Sequence, residues 1–158
     1  NEMSMETSNI GNPPAQIGQC IKSLFEGTET LDTTCHTCRQ TTSKPEVFWC
    51  IILQLQSLFN TLEDCLQYYI APETMSLTTN NAFECSNCGK GQDATRTRHI
   101  SKQPEIMIFQ FSRFSFDLNT HQGTKNRKLV EIPSQLDLDI YTQNSSKSSN
   151  TIKKFFCP

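Results

Sequence analysis

Four cysteines in two pairs, Cys35-His36-Thr37-Cys38 and Cys85-Ser86-Asn87-Cys88, have the residue types and spacing to bind a metal. A Cys-x-x-Cys turn can aim both sulfurs at one point, and two such turns supply a tetrahedron of thiolates. That is the coordination a structural Zn²⁺ prefers, at about 2.3 Å per Zn–S bond. The residue after such a knuckle often takes a positive φ so that its N–H points back into the turn. Gly89 suits that position after the second pair; Arg39 suits it less well, but places a positive charge beside a centre of formal charge −2.

Eight cysteines would also allow four disulfides, and a Cys-x-x-Cys can be a redox motif. The remaining four, Cys20, Cys50, Cys65 and Cys157, lie in unrelated contexts, three of them among apolar neighbours. A redox pair would open a helix in a βαβ setting, which neither pair does. No signal-peptide pattern is present, so the pairs read as Cys35, Cys38, Cys85 and Cys88 holding one structural Zn²⁺ in a reducing, intracellular compartment, cytoplasm or nucleus.

The bulk numbers agree with a domain that needs a metal clip. Of 158 residues, 35% are apolar, and exchanging the three Tyr for the six Gly to match the usual tally leaves this far below a typical ~45–50%. The net charge of −2, from 14 basic and 16 acidic residues without a Lys/Arg run, argues against bulk nucleic-acid binding. No stretch approaches the ~20 apolar residues of a membrane span. The first residue is Asn, which suggests that a longer coding sequence is only partly represented.

The elements that must position the cysteines follow from pattern. Residues 1–16 are polar and read as a linker or loop. Ile17 to Phe25 suits a short helix or turn, and Thr28 to Thr34 leads into the first knuckle. Val47 to Leu55 is rich in β-branched and aromatic residues, and predicts one strand with Trp49, Ile51, Leu53 and Leu55 on its buried face. Thr61-Leu62-Glu63-Asp64 is a capping box, followed by Leu62, Cys65, Leu66, Tyr69 and Ile70 at helical spacing until Pro72 ends the helix. Beyond the second knuckle, Ala94 to Ile100 alternates as a strand, and Glu105 to Phe116 reads as a long apolar one. Asn119 to Arg127 should be a loop, Leu129 to Ile132 a short strand, and Leu136 to Tyr141 another. The Ser/Asn/Lys-rich stretch after Thr142 predicts disorder, so 142–158 is expected to be a disordered or atypical tail.

These landmarks, in this order, resemble the ubiquitin-specific proteases. Leu24-Phe25-x-Gly27 precedes the first Cys pair, Thr61-Leu62-Glu63-Asp64-Cys65-Leu66 is similar to the family's S-L-x-D-C-L helix, and Phe83-Glu84 stands before the second pair. Asp93-Ala94-Thr95-Arg96 looks like its x-A-x-K/R strand. Gln103 to Phe114 resembles its L-P-x-h-L-h-h-x-L-K-R-F strand, and Lys128 to Tyr141 the segment that follows. Two departures stand out: Gln110 occupies a usual His position and Ser112 a usual Lys position.

The resemblance implies an α+β fold: antiparallel β "fingers" with a four-cysteine zinc ribbon at their tips (28–100), part of a palm sheet (101–141), and one or two helices. Residues 17–141 would then be a partial papain-like catalytic domain, and the strand surfaces around residues 75–100 would contact ubiquitin. The implied activity is hydrolysis of isopeptide bonds at the C-terminus of ubiquitin, by a monomer that binds ubiquitin or ubiquitinated proteins. The family's nucleophile and Gly-His-Tyr boxes are not found among these residues. Cys20 lacks the nucleophile's context, and His36, His99 and His121 lack that of the base. No catalytic residue is therefore assigned, and the chain alone is expected to be inactive. The alternative is a non-catalytic ubiquitin-binding zinc-ribbon module.

Overall fold

The computed structural model describes residues 15–118, 121–142 and 152–154. Helix α1 (Ala15–Phe25) leads through Glu26 into strand β1 (Gly27–Cys35), which turns at the first Cys pair into β2 (Thr41–Phe48). After a bend come β3 (Ile51–Gln54) and helix α2 (Leu62–Ile70). The short β4 (Glu73–Met75) and the hairpin of β5 (Phe83–Cys85) and β6 (Lys90–Gln92) then lead to the long β7 (Ala94–Lys102). Strands β8 (Phe109–Ser112), β9 (Phe114–Asp117), β10 (Gln122–Lys125), β11 (Gln135–Asp137) and β12 (Ile152–Lys154) follow.

The largest sheet is antiparallel in the order β2-β1-β7-β4. Nonlocal pairing of β1 with β7, from Thr28↔Lys102 to Cys35↔Ala94, brings the two knuckles to the same end. Its outer strand β2 carries Pro45, which has no N–H and is tolerated at an edge. The β3–β8 pair is parallel, with Ile51 opposite Phe109 and Leu53 opposite Phe111. A core of Phe48, Ile51, Leu53, Leu62, Leu66, Ile100, Leu136, Leu138 and Tyr141 joins β3, α2, the inner end of β7 and the segment around β11.

Helix α2 forms as its sequence dictates. Thr61 Oγ1 accepts the Asp64 N–H at 3.1 Å, while the Asp64 carboxylate accepts the N–H of Thr61 and of Asn60, each at 2.9 Å. Ala71 takes an extended ψ of 141° before Pro72, ending the helix. Leu62, Cys65 and Leu66 are buried and Tyr69 and Ile70 partly so, which is the expected stripe.

Several expectations are corrected, among them the loop over 119–127, which holds strand β10 at Gln122–Lys125. The single strand over 47–55 is two, parted by a bend at Trp49-Cys50. Phe48 is buried, Trp49 is exposed, and burial resumes at Ile51 and Leu53. The bend carries the chain from the antiparallel sheet to the parallel pair and changes the parity of the buried face. Phe48 is held there because its ring covers Gly27, where any Cβ would collide with it.

The long strand over 105–116 is likewise divided. Residues up to Ile108 lie outside a strand, with the Ile106 N–H donating to Leu24 O at 2.8 Å, and the chain breaks again at Arg113. The Arg113 side chain turns aside to donate to the carbonyls of Asn126 and Lys128, so Phe114 and Phe116 start a separate, exposed hairpin. Leu129 to Ile132 forms a bridge at Glu131 alone, where Glu131 O accepts the Leu62 N–H and Glu131 N–H donates to Asn60 O. Leu136 to Tyr141 is strand β11 followed by a single 3₁₀ turn.

Of the expected tail, Ile152–Lys154 is a strand paired with Gln135–Asp137, because β11 offers an open edge. The expected disorder over 143–151 and 155–158, and the linker over 1–14, lie outside the described residues; Ala15 already belongs to α1.

Candidate metal centre

The β1–β2 connection forms the first knuckle. Cys35 ends β1, its N–H donates to Gln40 O at 3.0 Å, and the Arg39 N–H donates back to Cys35 O at 3.0 Å. That closure puts Arg39 at φ 62°, a left-handed conformation that an L side chain adopts at a cost of roughly 1–2 kcal/mol. The second knuckle sits in the β5–β6 hairpin. There the Gly89 N–H donates to Cys85 O at 2.9 Å with φ 67°, which glycine accepts freely. Both knuckles thus use the same turn, including the one whose sequence suits it less well.

The two turns are tied together beside the sulfurs. Thr37 Oγ1 donates to Gln92 Oε1, and the His36 N–H donates to Asp93 O at 2.9 Å. The His36 ring shares a 2.8 Å hydrogen bond with Thr95 Oγ1. The four Sγ atoms of Cys35, Cys38, Cys85 and Cys88 lie within 4.8 Å of one another, and Cys38 and Cys85 are 3.6 Å apart. Thiolates at about 2.3 Å from a common tetrahedral ion sit about 3.8 Å apart, so the donor set fits a metal ion. Cys35 and Cys85 are buried, whereas Cys38 and Cys88 face partly outward.

Protonation shows what the cluster demands. The Gln40 N–H and then the Asn87 side chain hold the Cys38 thiol down to about 6. Loss of water, then hydrogen bonding to Cys38, Cys85 and Cys35, pushes Cys88 up to about 12. Burial first, and then the neighbouring sulfurs with repulsion from Cys35, therefore disfavour a thiolate at Cys88. A bound divalent cation would neutralise this repulsion and allow all four sulfurs to ionise. Gln40 and Asn87 were not singled out by sequence reasoning; Asn87, placed between Cys85 and Cys88, was the available signal.

The remaining chemistry-bearing residues are dispersed. Cys20 is exposed on α1, and Cys65 is buried in α2, where burial raises its thiol. His99 pairs with Asp32 at 3.5 Å, and His121 stands in the turn of the β9–β10 hairpin at φ 54°. Among the described residues no thiol–imidazole hydrogen bond is formed.

Residues 5–154 match the family model for ubiquitin carboxyl-terminal hydrolase, nearly the whole chain. The chain belongs to the ubiquitin carboxyl-terminal hydrolase family. Among its curated relatives, the probable ubiquitin carboxyl-terminal hydrolase creB of Aspergillus flavus is 33% identical over 132 residues, or 84% of this chain and 17% of that protein. The probable ubiquitin carboxyl-terminal hydrolase 9 of Schizosaccharomyces pombe is 33% identical over 103 residues, 65% of this chain and 17% of that protein. The chain spans less than a fifth of the length of these ubiquitin carboxyl-terminal hydrolases.

The fold is likewise that of part of a ubiquitin-specific protease. It aligns with the solved SAGA Ubp8/Sgf11/Sus1/Sgf73 DUB module bound to ubiquitin aldehyde at a TM-score of 0.70 and 24% identity. The alignment covers 86% of this chain and 30% of that one. Among the described residues no helix is long and apolar enough to cross a membrane.

Proposed function

We propose that this chain is the fingers-and-palm portion of a cysteine-type deubiquitinase that hydrolyses isopeptide bonds at the C-terminus of ubiquitin. The observation that carries this reading is the family match over residues 5–154 on a fold whose sheet tip gathers four thiols. Cys35, Cys38, Cys85 and Cys88 hold one structural Zn²⁺ per chain, with the fingers over 28–100 and the palm strands over 101–141. The ion supplies charge neutralisation and cross-linking at the sheet tip, where little apolar burial is available. Gln40 and Asn87 orient the Cys38 sulfur, while Thr37 and Gln92 keep the two knuckles in register.

The strand surfaces around residues 75–100 meet ubiquitin. The thiol nucleophile and its imidazole base are supplied from outside these residues. The protein works as an intracellular monomer.

The intact protein is expected to release the fluorophore from ubiquitin–aminomethylcoumarin, and Cys85→Ser/Cys88→Ser to lose ubiquitin binding together with zinc. Ubiquitin binding without cleavage would instead make it a non-catalytic module of the same fold. Labelling of Cys20 by a ubiquitin–propargyl probe would overturn the assignment of that thiol as non-catalytic.

A further inference from the structure

The two knuckles are held together by more than their sulfurs. Thr37 Oγ1 donates to Gln92 Oε1 across the gap between them, and the His36 N–H donates to Asp93 O at 2.9 Å. Each turn also closes on itself, through Arg39 N–H to Cys35 O at 3.0 Å and Gly89 N–H to Cys85 O at 2.9 Å. None of these bonds uses a sulfur, so they hold the two turns in register whether or not the thiols carry an ion. Across that register Cys38 Sγ and Cys85 Sγ stand 3.6 Å apart, one from each knuckle.

This sulfur pair is asymmetric. Cys85 is buried and Cys38 is half-buried, so a small oxidant reaches Cys38 first and Cys85 stands behind it. A redox-sensitive thiol beside a resolving thiol has this arrangement. Cys88 is half-buried too, so exposure alone does not choose Cys38; the contact with Cys85 does. The other described cysteines, Cys20, Cys50 and Cys65, lie outside the cluster. A disulfide bond is about 2.05 Å long, so the gap closes with a shift of about 1.5 Å shared between two side chains.

We propose that the four-thiol centre is a reversible redox switch, in which a peroxide joins Cys38 to Cys85 and the metal ion is given up. The proposal rests on the reading of Cys35, Cys38, Cys85 and Cys88 as a zinc site. The Cys38 thiolate attacks one peroxide oxygen: an S–O bond forms, the O–O bond breaks, and the departing hydroxide takes up a proton as water. The Cys85 sulfur then attacks the Cys38 sulfur. The S–S bond forms, the S–O bond breaks, and the hydroxyl leaves with a proton as a second water. The two sulfurs lose two electrons in all, and the peroxide gains them. Cys35 and Cys88 are left as two thiolates where a structural site needs four ligands, too few to retain the ion. The disulfide takes over the link between the knuckles, so the sheet tip loses its ion without coming apart. A dithiol reductant, itself oxidised to a disulfide, restores both thiols and the site.

The test starts from the reduced, intact protein, whose zinc content is measured first. Hydrogen peroxide is then added with a chromogenic zinc chelator present, and the product is digested without reduction and mapped by mass spectrometry. About one zinc should appear for each disulfide formed, with Cys38 and Cys85 in one linked peptide pair. Dithiothreitol with added zinc should reverse both changes. Cys20→Ser/Cys50→Ser should release zinc as the parent does. Amide exchange in β5 and β6 of the oxidised protein should lie between that of the zinc-loaded protein and that of Cys85→Ser/Cys88→Ser, which has neither link. A disulfide within one knuckle, a disulfide to Cys20 or Cys50, or a loss of zinc that reduction does not restore overturns the proposal. Zinc present but retained under peroxide refutes the switch alone, whereas zinc absent from the reduced protein refutes the metal reading and the switch with it.

Discussion

Gly27→Ala should be among the most damaging small substitutions in this chain. A Cβ built at Gly27 would collide with Phe48 Cζ and lie 2.6 and 2.7 Å from Cε2 and Cε1. Gly27 is itself buried at the start of β1, and its register partner is Phe48. The ring has little room to retreat, because Phe48 is a member of the buried core with Ile51 and Leu53 beyond the bend. Overpacking of this kind costs about 1–3 kcal/mol. For a domain of this size that lowers Tm by about 2–4 °C per kcal/mol. Phe48→Leu alone removes ring volume and should cost about 1 kcal/mol. In the double variant the methyl occupies space the ring vacated, so the two costs should not add. The coupling should favour the pair by about 1–2 kcal/mol. Thermal or urea melts of the four proteins measure it. Strict additivity, or a harmless Gly27→Ala, would refute the claim that this contact fixes the bend between the antiparallel sheet and the β3–β8 pair.

Gly89→Ala meets no atom within 4 Å, so its cost is the left-handed backbone alone, about 1 kcal/mol; the same change at Gly18 in α1 also meets open space and should stabilise by about as much. Equal signs at the two sites in melting experiments would contradict the knuckle geometry. Tyr69→Phe deprives the buried Glu29 of a hydroxyl 2.5 Å away and leaves it, among the described residues, the ion pair with Arg98 at 3.6 Å, so stability should fall by about 1.5–3 kcal/mol; a neutral substitution would show that the cluster binds α2 to the sheet through packing. The N–H of Asn60, then the N–H and hydroxyl of Thr61, hold Asp64 below the usual carboxylate range. Its contribution is therefore complete above the unfolded value of about 3.9 and is lost as pH falls through the lower folded one. Urea melts across that window should show Asp64→Asn less stable near neutrality and less sensitive to acid than the parent, and parallel curves would sink the assignment.

What can be read from the chain is what local spacing encodes. The capping box at Thr61 involves residues three apart, and each Cys-x-x-Cys turn spans four residues, so both are visible without a fold. The alternation from Ala94 onward likewise marks β7. What escapes depends on partners distant in sequence. The bend at Trp49-Cys50 answers to Gly27, and the break at Arg113 to carbonyls at Asn126 and Lys128. Apolar content alone therefore suggests continuous strands through both. The parallel β3–β8 pairing joins segments separated by α2 and the whole second knuckle, and no periodicity announces it. Arg39 is a poor knuckle residue by intrinsic preference, yet ring closure onto Cys35 imposes the same positive φ as at Gly89. In each case tertiary geometry overrides a local tendency worth about 1 kcal/mol.

The four thiols at the sheet tip carry the central claim, and elemental analysis of the purified intact protein tests it most directly. One zinc per chain is expected, falling sharply in Cys85→Ser/Cys88→Ser, with loss of order in β5, β6 and the adjoining end of β7 by hydrogen exchange. A metal ion of this kind contributes about 10–16 kcal/mol of apparent binding free energy, comparable with a domain's whole net stability of ~5–15 kcal/mol. A metal-free protein that kept its fold and its protected tip would contradict the account.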